Sequence, residues 1–250
     1  MVVKSCGIWN NAAVTKLDRT FVLWDVDHTL IENSGVSKAT YGRAFELLVG
    51  NPSSVRPETD GRTDFEILDN LFSANSLAVP DDYEKIFEDA LTRAMAEKRE
   101  DLRVLGYALP GAKEALEALS QNDRVIQSAL TGNIASNARE KLAAFGLDVY
   151  LDLEVGGYGS DHVVRSKLAD VARQKVLERY GIEFDRRSTV MIGDTVRDVQ
   201  AALDGHAAII GVATGADSVP ELLVAGADEV IESLADTDEF LRLLRKVREG

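Results

Sequence analysis

The sequence predicts an α/β protein whose core is a doubly wound, Rossmann-like parallel sheet with an inserted α-helical cap domain. Short apolar runs alternate with longer helical patterns over most of the chain, which is typical of βαβ units in a parallel sheet. One long segment, from about Ile31 to about Gly106, breaks this alternation because it contains only helical patterns. Such a segment is too long for an ordinary crossover connection, so we interpret it as an insertion.

Six apolar runs are candidates for the strands of the sheet. They cover residues 21–24, 125–130, 153–155, 189–192, 207–212 and, more weakly, 229–231. Helical patterns lie between them, for example over residues 111–120, 134–145 and 168–180. Gly146 and Gly181 stand where two of these helices are expected to end, because glycine readily adopts the left-handed conformation found there.

Helical patterns also fill most of the insertion. They span residues 37–49, 64–73 and 81–98, and a loop with two prolines and a glycine covers about 51–62. We therefore predict a core domain of residues 1–32 and 107–250 and a cap domain of residues 33–106.

The charge balance limits the classes of partner. The chain has 28 lysines and arginines against 42 acidic residues, a formal net charge of -14. Such a charge repels a nucleic-acid backbone and an anionic membrane surface, so neither is an expected partner. A small anionic substrate remains compatible, because a bound cation and a few basic groups can reverse the potential inside one pocket.

Cysteine content and hydropathy indicate the compartment. Cys6 is the single cysteine, so the chain can form neither an intramolecular disulfide nor a thiolate metal cluster. The first twenty residues lack the continuous apolar stretch of a signal peptide, and no later run is long enough to span a membrane. We expect a cytoplasmic protein.

Polar residues follow three of the predicted strands directly. They are Asp25 and Asp27, then Thr131, Gly132 and Asn133, then Asp194 and Asp198. Ligands of open parallel sheets bind outside the carboxyl ends of the strands, so these groups are expected to meet at one edge. Taken singly, each could instead be a turn residue or a helix N-cap.

The order of these three motifs resembles the haloacid dehalogenase superfamily. The segments are Asp25-Val-Asp27-His28-Thr29, then a strand that ends in Thr131-Gly-Asn, then Gly193-Asp194-Thr-Val-Arg-Asp198. The resemblance extends over about residues 21–244, and its capped members include phosphoglycolate phosphatase and beta-phosphoglucomutase. The family fold, a doubly wound sheet with a mobile cap after the first motif, agrees with the inferred insertion.

The resemblance implies a nucleophile and a metal site. Asp25 would attack phosphorus to form an aspartyl-phosphate, and Asp27 would protonate the leaving oxygen and later deprotonate water. A phosphate monoester repels a carboxylate, so a cation must bridge the two, and Mg²⁺ prefers such oxygen ligands. Asp25, Asp194 and the backbone carbonyl of Asp27 would bind Mg²⁺, while Asp198 would hold metal-bound water. Asp27 also favours phosphoryl chemistry, because halide departure needs no proton.

The phosphate group is expected to be held by a turn and a basic side chain. Thr131 and the amides of Gly132 and Asn133 lie where a strand becomes a helix, a geometry that offers donors to phosphate oxygens. The family supplies a lysine or arginine upstream of the last motif. Arg165 and Lys167 are the two candidates, and Arg165 is preferred because it directly precedes a predicted helix.

Two further residues are candidate substrate contacts. His28 stands where relatives more often have glycine or a small residue, and it either contacts the leaving group or makes a structural hydrogen bond. Arg62 belongs to a polar cluster before a predicted cap helix and would bind an anionic leaving group. The alternative is that Asp60 or Thr63 in this cluster only caps that helix.

We therefore expect a Mg²⁺-dependent phosphatase that hydrolyses a small phosphorylated metabolite. One alternative is a phosphomutase of the beta-phosphoglucomutase type, which returns the phosphoryl group to a sugar hydroxyl. Another is a non-enzymatic phospho-acceptor or binding module, against which the large insertion and Asp27 both argue. The sequence does not define the oligomeric state.

Overall fold

Eight strands build two sheets in the part of the chain that the structure describes. The computed structural model describes residues 19–59 and 61–249. In chain order the strands are β1 (Thr20–Trp24), β2 (Ile31–Glu32), β3 (Tyr107–Ala108), β4 (Val125–Thr131), β5 (Gly157–Tyr158), β6 (Thr189–Gly193), β7 (Ala208–Val212) and β8 (Glu229–Ile231). Six of them form one sheet in the order β5-β4-β1-β6-β7-β8, and every neighbouring pair is parallel. The remaining two, β2 and β3, pair antiparallel.

Helices connect the strands in the order that the alternation predicts. They are α1 (Val36–Val49), α2 (Asp64–Ala74), α3 (Tyr83–Leu105), α4 (Ala112–Ser120), α5 (Ala135–Ala144), α6 (Leu168–Tyr180), α7 (Val196–Asp204), α8 (Val219–Ala225) and α9 (Thr237–Glu249). Among these described helices, none is both long and apolar enough to cross a bilayer.

The central strand β1 shows how the sheet is covered on both faces. Val22 and Trp24 pack into one apolar cluster with α4, α5 and α9. Phe21 and Leu23 pack into a second cluster with α6, α7 and α8. Successive side chains of a strand point to opposite faces, so a continuous apolar run is required where helices cover both. The doubly wound α/β fold is confirmed.

Helices α1, α2 and α3 form a separate layer over the carboxyl edge of the sheet. Their apolar side chains, among them Phe45, Phe72 and Phe87, make a cluster of their own, which Ile134 of the core joins. The chain leaves the core through β2 and returns through β3, so the antiparallel pair Ile31–Ala108 ties the two connections together. The domain limits 33–106 stay a prediction, which this arrangement supports.

One predicted strand is wrong. Residues 151–156 form a bend and a turn, and the edge strand is the short β5, which pairs through Gly157 with Leu130. Leu153 and Val155 are buried all the same. A short apolar run signals burial without specifying the backbone conformation, which explains the error.

The prediction for α3 ended seven residues early, because residues 99–105 are mostly polar and only Leu102 is buried among them. Cys6 lies outside the described residues.

Candidate active site

A cavity of about 440 Å³ opens at the carboxyl ends of the central strands. Asp25, Thr131, Asp194 and Thr214 line it from the ends of β1, β4, β6 and β7. The cap contributes residues to the opposite side, Arg62 among them. The sheet edge and the cap together therefore enclose one pocket of metabolite size.

Three buried carboxylates meet beside this cavity. One oxygen of each of Asp25, Asp194 and Asp198 lies within 4.8 Å of the other two. The Thr29 hydroxyl donates to Asp194 Oδ1 at 3.0 Å. Asp198 is fixed at the start of α7, where its Oδ2 accepts from the backbone N–H and the hydroxyl of Thr195 at 3.0 and 2.6 Å. These neighbours limit the rotation of two of the three acids.

Arg165 supplies positive charge to this cluster. Its Nη2 donates to Asp25 Oδ1 at 2.9 Å and also to Asp198 Oδ1. A single turn of 3-10 helix, Arg165–Lys167, places it there immediately before α6. The side chain of Lys167 is 59% exposed, its Nζ lies 3.9 Å from Asp170, and the residue does not line the cavity. Of the two candidate cations, only Arg165 contacts the carboxylates.

The three buried carboxylates carry more negative charge than the single guanidinium of Arg165 can balance. Burial raises the pKa of Asp25 to about 7, and although Arg165 opposes this rise, the charges of Asp198 and Asp27 add to it. Burial likewise raises the pKa of Asp194 well above its ordinary range, with contributions from Asp198 and Asp25. A buried carboxylate with acidic neighbours resists ionisation in this way.

This donor set fits a hard divalent cation. Mg²⁺ takes oxygen ligands and commonly uses one or two carboxylates together with water and substrate oxygens. A cation among Asp25, Asp194 and Asp198 would offset the repulsion that raises the pKa of two of them. These three residues could therefore hold a metal ion.

The raised pKa of Asp25 predicts how pH affects the stability of the metal-free protein. The ordinary value is 3.8 and the folded value about 7, so the folded state binds the proton more tightly than the unfolded state does. The contribution of Asp25 to the free energy of unfolding is fully present when the pH is below its ordinary pKa. This contribution is lost as the pH rises through its pKa in the folded state.

Asp25→Asn removes this titration, so denaturant unfolding in a chelator tests the prediction. Between about pH 5 and about pH 8, wild type should lose about 2 kcal/mol relative to the variant. An equal pH dependence of wild type and variant would contradict it.

Asp27 turns its carboxylate toward a different set of groups. Its Oδ1 accepts from Asn33 Nδ2 at 2.9 Å and from the Ser37 hydroxyl at 3.3 Å. Its Oδ2 accepts from Asn133 Nδ2 at 2.8 Å and from Lys141 Nζ at 2.6 Å. Burial alone would raise the pKa of Asp27, but Lys141 and Asn133 outweigh it and lower the pKa to about 2. Asp27 is thus ionised in the ligand-free protein.

The turn after β4 lines the cavity with Thr131, Gly132 and Asn133. The cap lies directly against this turn, since Gly132 O accepts from the backbone N–H of Asp64 at 2.8 Å. A Cβ atom at Gly132 would stand 2.2 Å from the backbone oxygen of Arg62, so only glycine fits. Asp64 Oδ2 in turn accepts from the backbone N–H of Ile134 at 2.9 Å.

His28 makes structural contacts and lines the cavity, while its contact with a leaving group stays a prediction. Its backbone is in the left-handed region, with φ at 61°, a conformation that glycine adopts more readily than histidine. Its carbonyl accepts from the Thr214 hydroxyl at 2.5 Å, and its Nδ1 lies 3.0 Å from Glu32 Oε2. These are structural contacts, and the residue also lines the cavity.

Arg62 lines the cavity but already has acidic partners. Its guanidinium lies 3.2 Å from Glu58 and 3.4 Å from Glu66. Thr63 caps α2, because its hydroxyl accepts from the backbone N–H of Glu66 at 3.3 Å. Asp60, the other candidate cap, lies outside the described residues.

Gly215 is a part of the site that the sequence did not indicate. A Cβ atom there would lie 1.8 Å from Asp194 Oδ2, so a side chain would displace this carboxylate. We expect Gly215→Ala to weaken divalent metal binding by about tenfold or more, because Asp194 must move from its position in the cluster. Isothermal titration with Mg²⁺ measures the effect, and unchanged affinity would contradict it. Gly42→Ala is a control, since open space surrounds that residue and its φ lies outside the left-handed region.

Lys141 was also missed, although the sequence contains a signal for it. Asn133, Asn137 and Lys141 are spaced four residues apart, and all three side chains are at most 4% exposed. Such spacing places Asn137 and Lys141 on one face of α5, and Asn133 lies just before the start of that helix. A polar stripe where an apolar one is expected could have indicated a buried network.

Known proteins share sequence similarity with this chain over most of its length. The family model described as haloacid dehalogenase-like hydrolase matches residues 22–203. Probable phosphatase IndB from Dickeya dadantii (strain 3937) is 27% identical over 223 residues, which cover 87% of this chain and 91% of that protein.

Solved structures share the fold at low sequence identity. A hydrolase from Pseudomonas syringae superimposes with a TM-score of 0.65 at 21% identity, covering 90% of this chain and 99% of that one. A predicted phosphoglycolate phosphatase from Haemophilus somnus 129PT gives 0.63 at 16% identity, covering 92% and 100%. With a family model matched over most of its length, the chain belongs to the haloacid dehalogenase-like hydrolases and is an enzyme.

Proposed function

We propose that the protein is a Mg²⁺-dependent phosphatase that hydrolyses a small phosphomonoester through an aspartyl-phosphate on Asp25. The observation that carries the proposal is the meeting of Asp25, Asp194 and Asp198 within 4.8 Å beside a cavity of about 440 Å³. The similarity to a probable phosphatase supports the same reaction class. The cavity volume suits a metabolite rather than a polymer.

Asp25, Asp194 and Asp198 are the residues that would hold Mg²⁺, and the family resemblance adds the backbone carbonyl of Asp27. When bound, the ion would screen the repulsion between a carboxylate and a phosphate oxygen. Arg165 would contribute further positive charge to the phosphate, because its Nη2 already lies 2.9 Å from Asp25 Oδ1.

The reaction then divides into two displacements. The Asp25 carboxylate attacks phosphorus, the ester P–O bond breaks, and the leaving oxygen takes a proton from Asp27. Water then gives a proton to Asp27 and attacks the phosphoryl group, which releases phosphate and restores the Asp25 carboxylate. Thr131 and the amides of Gly132 and Asn133 would hold the phosphate oxygens during both steps.

Proton donation requires that substrate binding change the state of Asp27. With its pKa at about 2, the ligand-free protein holds Asp27 ionised. A phosphate group placed beside this carboxylate adds negative charge, which raises its affinity for a proton. His28 and Arg62 line the cavity and would contact the leaving group, and Arg62 must first loosen its ion pairs with Glu58 and Glu66.

A panel of phosphorylated metabolites assayed for phosphate release tests the proposal. We expect release that requires Mg²⁺, stops in excess chelator and returns when Mg²⁺ is restored. A hexose 1-phosphate in the panel distinguishes the phosphomutase alternative, since an isomer without free phosphate would exclude hydrolysis. Absence of release from every compound with Mg²⁺ present would refute the proposal.

A further inference from the structure

Lys141 is the most deeply buried cation in the described part of the chain. Its side chain is 1% exposed, and no other lysine or arginine within residues 19–59 and 61–249 is classed as buried. Lysines are rarely buried unless an acid is paired with them, because the ammonium loses its hydration. Here the Nζ donates to Asp27 Oδ2 and to Asn133 Oδ1, each at 2.6 Å.

The contact with Asn133 fixes the orientation of that amide. An ammonium group only donates hydrogen bonds, so the Asn133 oxygen must face Lys141. The Asn133 Nδ2 then points the other way and donates to Asp27 Oδ2 and to the Thr131 hydroxyl, both at 2.8 Å. Without the ammonium the Asn133 oxygen would lose its donor, and only the two bonds of Nδ2 would hold the amide.

The cations of the site act on separate acids. Arg165 contacts Asp25 and Asp198, whereas Lys141 contacts Asp27. The charge of Lys141 also acts on the cap residue Asp64, whose carboxylate accepts from the core amide of Ile134 at 2.9 Å. The charge of Lys141 therefore acts on the second acid of the core motif and on one carboxylate of the cap.

We infer that Lys141 is a positioning residue, whose ammonium holds the Asp27 carboxylate and the Asn133 amide in the orientation needed for proton transfer to the leaving oxygen. The inference rests on the proposed function, in which Asp27 moves that proton. It assigns to α5 a role in leaving-group protonation rather than in phosphate binding.

Substrates with different leaving groups separate this role from a purely structural one. An alkyl phosphate needs a proton on its leaving oxygen, whereas dinitrophenyl phosphate releases a stable anion without one. We expect Lys141→Met to lower kcat/KM for the alkyl phosphate by about 100-fold or more, and for dinitrophenyl phosphate by less than about tenfold. Equal losses for the two substrates would overturn the inference.

The double variant Asp27→Asn/Lys141→Met provides the matched comparison. If Lys141 acts through Asp27, it should differ from Asp27→Asn by less than about threefold toward the alkyl phosphate, because residues that act as one unit are not additive. A further large loss would show an independent role. The comparison of Asp27→Asn with the double variant also tests the inference if Lys141→Met alone fails to fold, since the double variant buries no unpaired charge at this position.

A second readout does not depend on activity. In the ligand-free protein, the two side-chain amide protons of Asn133, assigned by NMR with Asn133→Ala, should exchange slowly with solvent, because both are hydrogen-bonded. Lys141→Met should change the chemical shifts of these protons and speed their exchange with solvent. Unchanged signals would overturn the inference. If no phosphate ester is turned over, the proposed function fails, and these signals still decide whether Lys141 orients Asn133.

Discussion

Asp25→Asn should lower the turnover of any accepted phosphomonoester by about 10⁴-fold or more, because an amide cannot form the phosphoryl intermediate. The change is almost isosteric, and the Asn oxygen can still accept from Arg165 Nη2, which lies 2.9 Å from the present carboxylate. The fold should therefore persist. Steady-state phosphate release with Mg²⁺ measures the loss.

Two further measurements make this prediction specific. Asp123→Asn is a matched control, since Asp123 is exposed in the turn before β4 and should retain wild-type turnover. Acid quenching during turnover, followed by mass spectrometry, should find a phosphoryl group on the peptide that contains Asp25. Full activity of Asp25→Asn, or a phosphoryl group on another residue, would refute the assignment of the nucleophile.

Arg165→Met should lower kcat/KM by about 100-fold to 1000-fold, because it removes a preorganised donor beside the reacting carboxylate. The same change leaves two buried acids, Asp25 and Asp198, without the guanidinium that contacts both. In a chelator, we expect the free energy of unfolding to fall by about 3 kcal/mol, as for other broken buried ion pairs. Denaturant titration and steady-state kinetics measure the two effects.

Lys167→Met is the matched control for Arg165→Met. Lys167 is two residues away, 59% exposed and outside the cavity lining, so its loss should leave both quantities near their wild-type values. The reverse outcome, a large loss for Lys167 and little for Arg165, would move the phosphate-balancing role to Lys167.

The fold could be predicted where local pattern and burial coincide. The run before Asp25 is apolar at every position because helices cover both faces of β1, so its sequence differs from that of a half-exposed strand. Residues 153–155 are equally apolar, yet they fill the core from a turn. The apolar composition correctly indicated burial of both segments. It correctly indicated a strand only for the run before Asp25.

The candidate site likewise contains some residues that the sequence could indicate and others that it could not. Asp25, Thr131 and Asp194 could be found because the carboxyl ends of parallel strands converge by geometry alone. Lys141 lies 114 residues from its partner Asp27, and the contact depends on how α5 packs. Gly215 is required only because the loop after β7 approaches Asp194 closely. Such requirements arise from tertiary packing, which no local pattern encodes.

The contact between the cap and the turn after β4 has a consequence for how substrate range can change. One contact that seats the cap joins main-chain atoms, since the carbonyl of Gly132 accepts from the Asp64 N–H, and a Cβ at residue 132 would clash with the backbone oxygen of Arg62. Main-chain contacts of this kind tolerate most substitutions in the contacting segment. The cap can therefore diversify its cavity-facing side chains while keeping its register on the catalytic edge, provided that position 132 stays glycine.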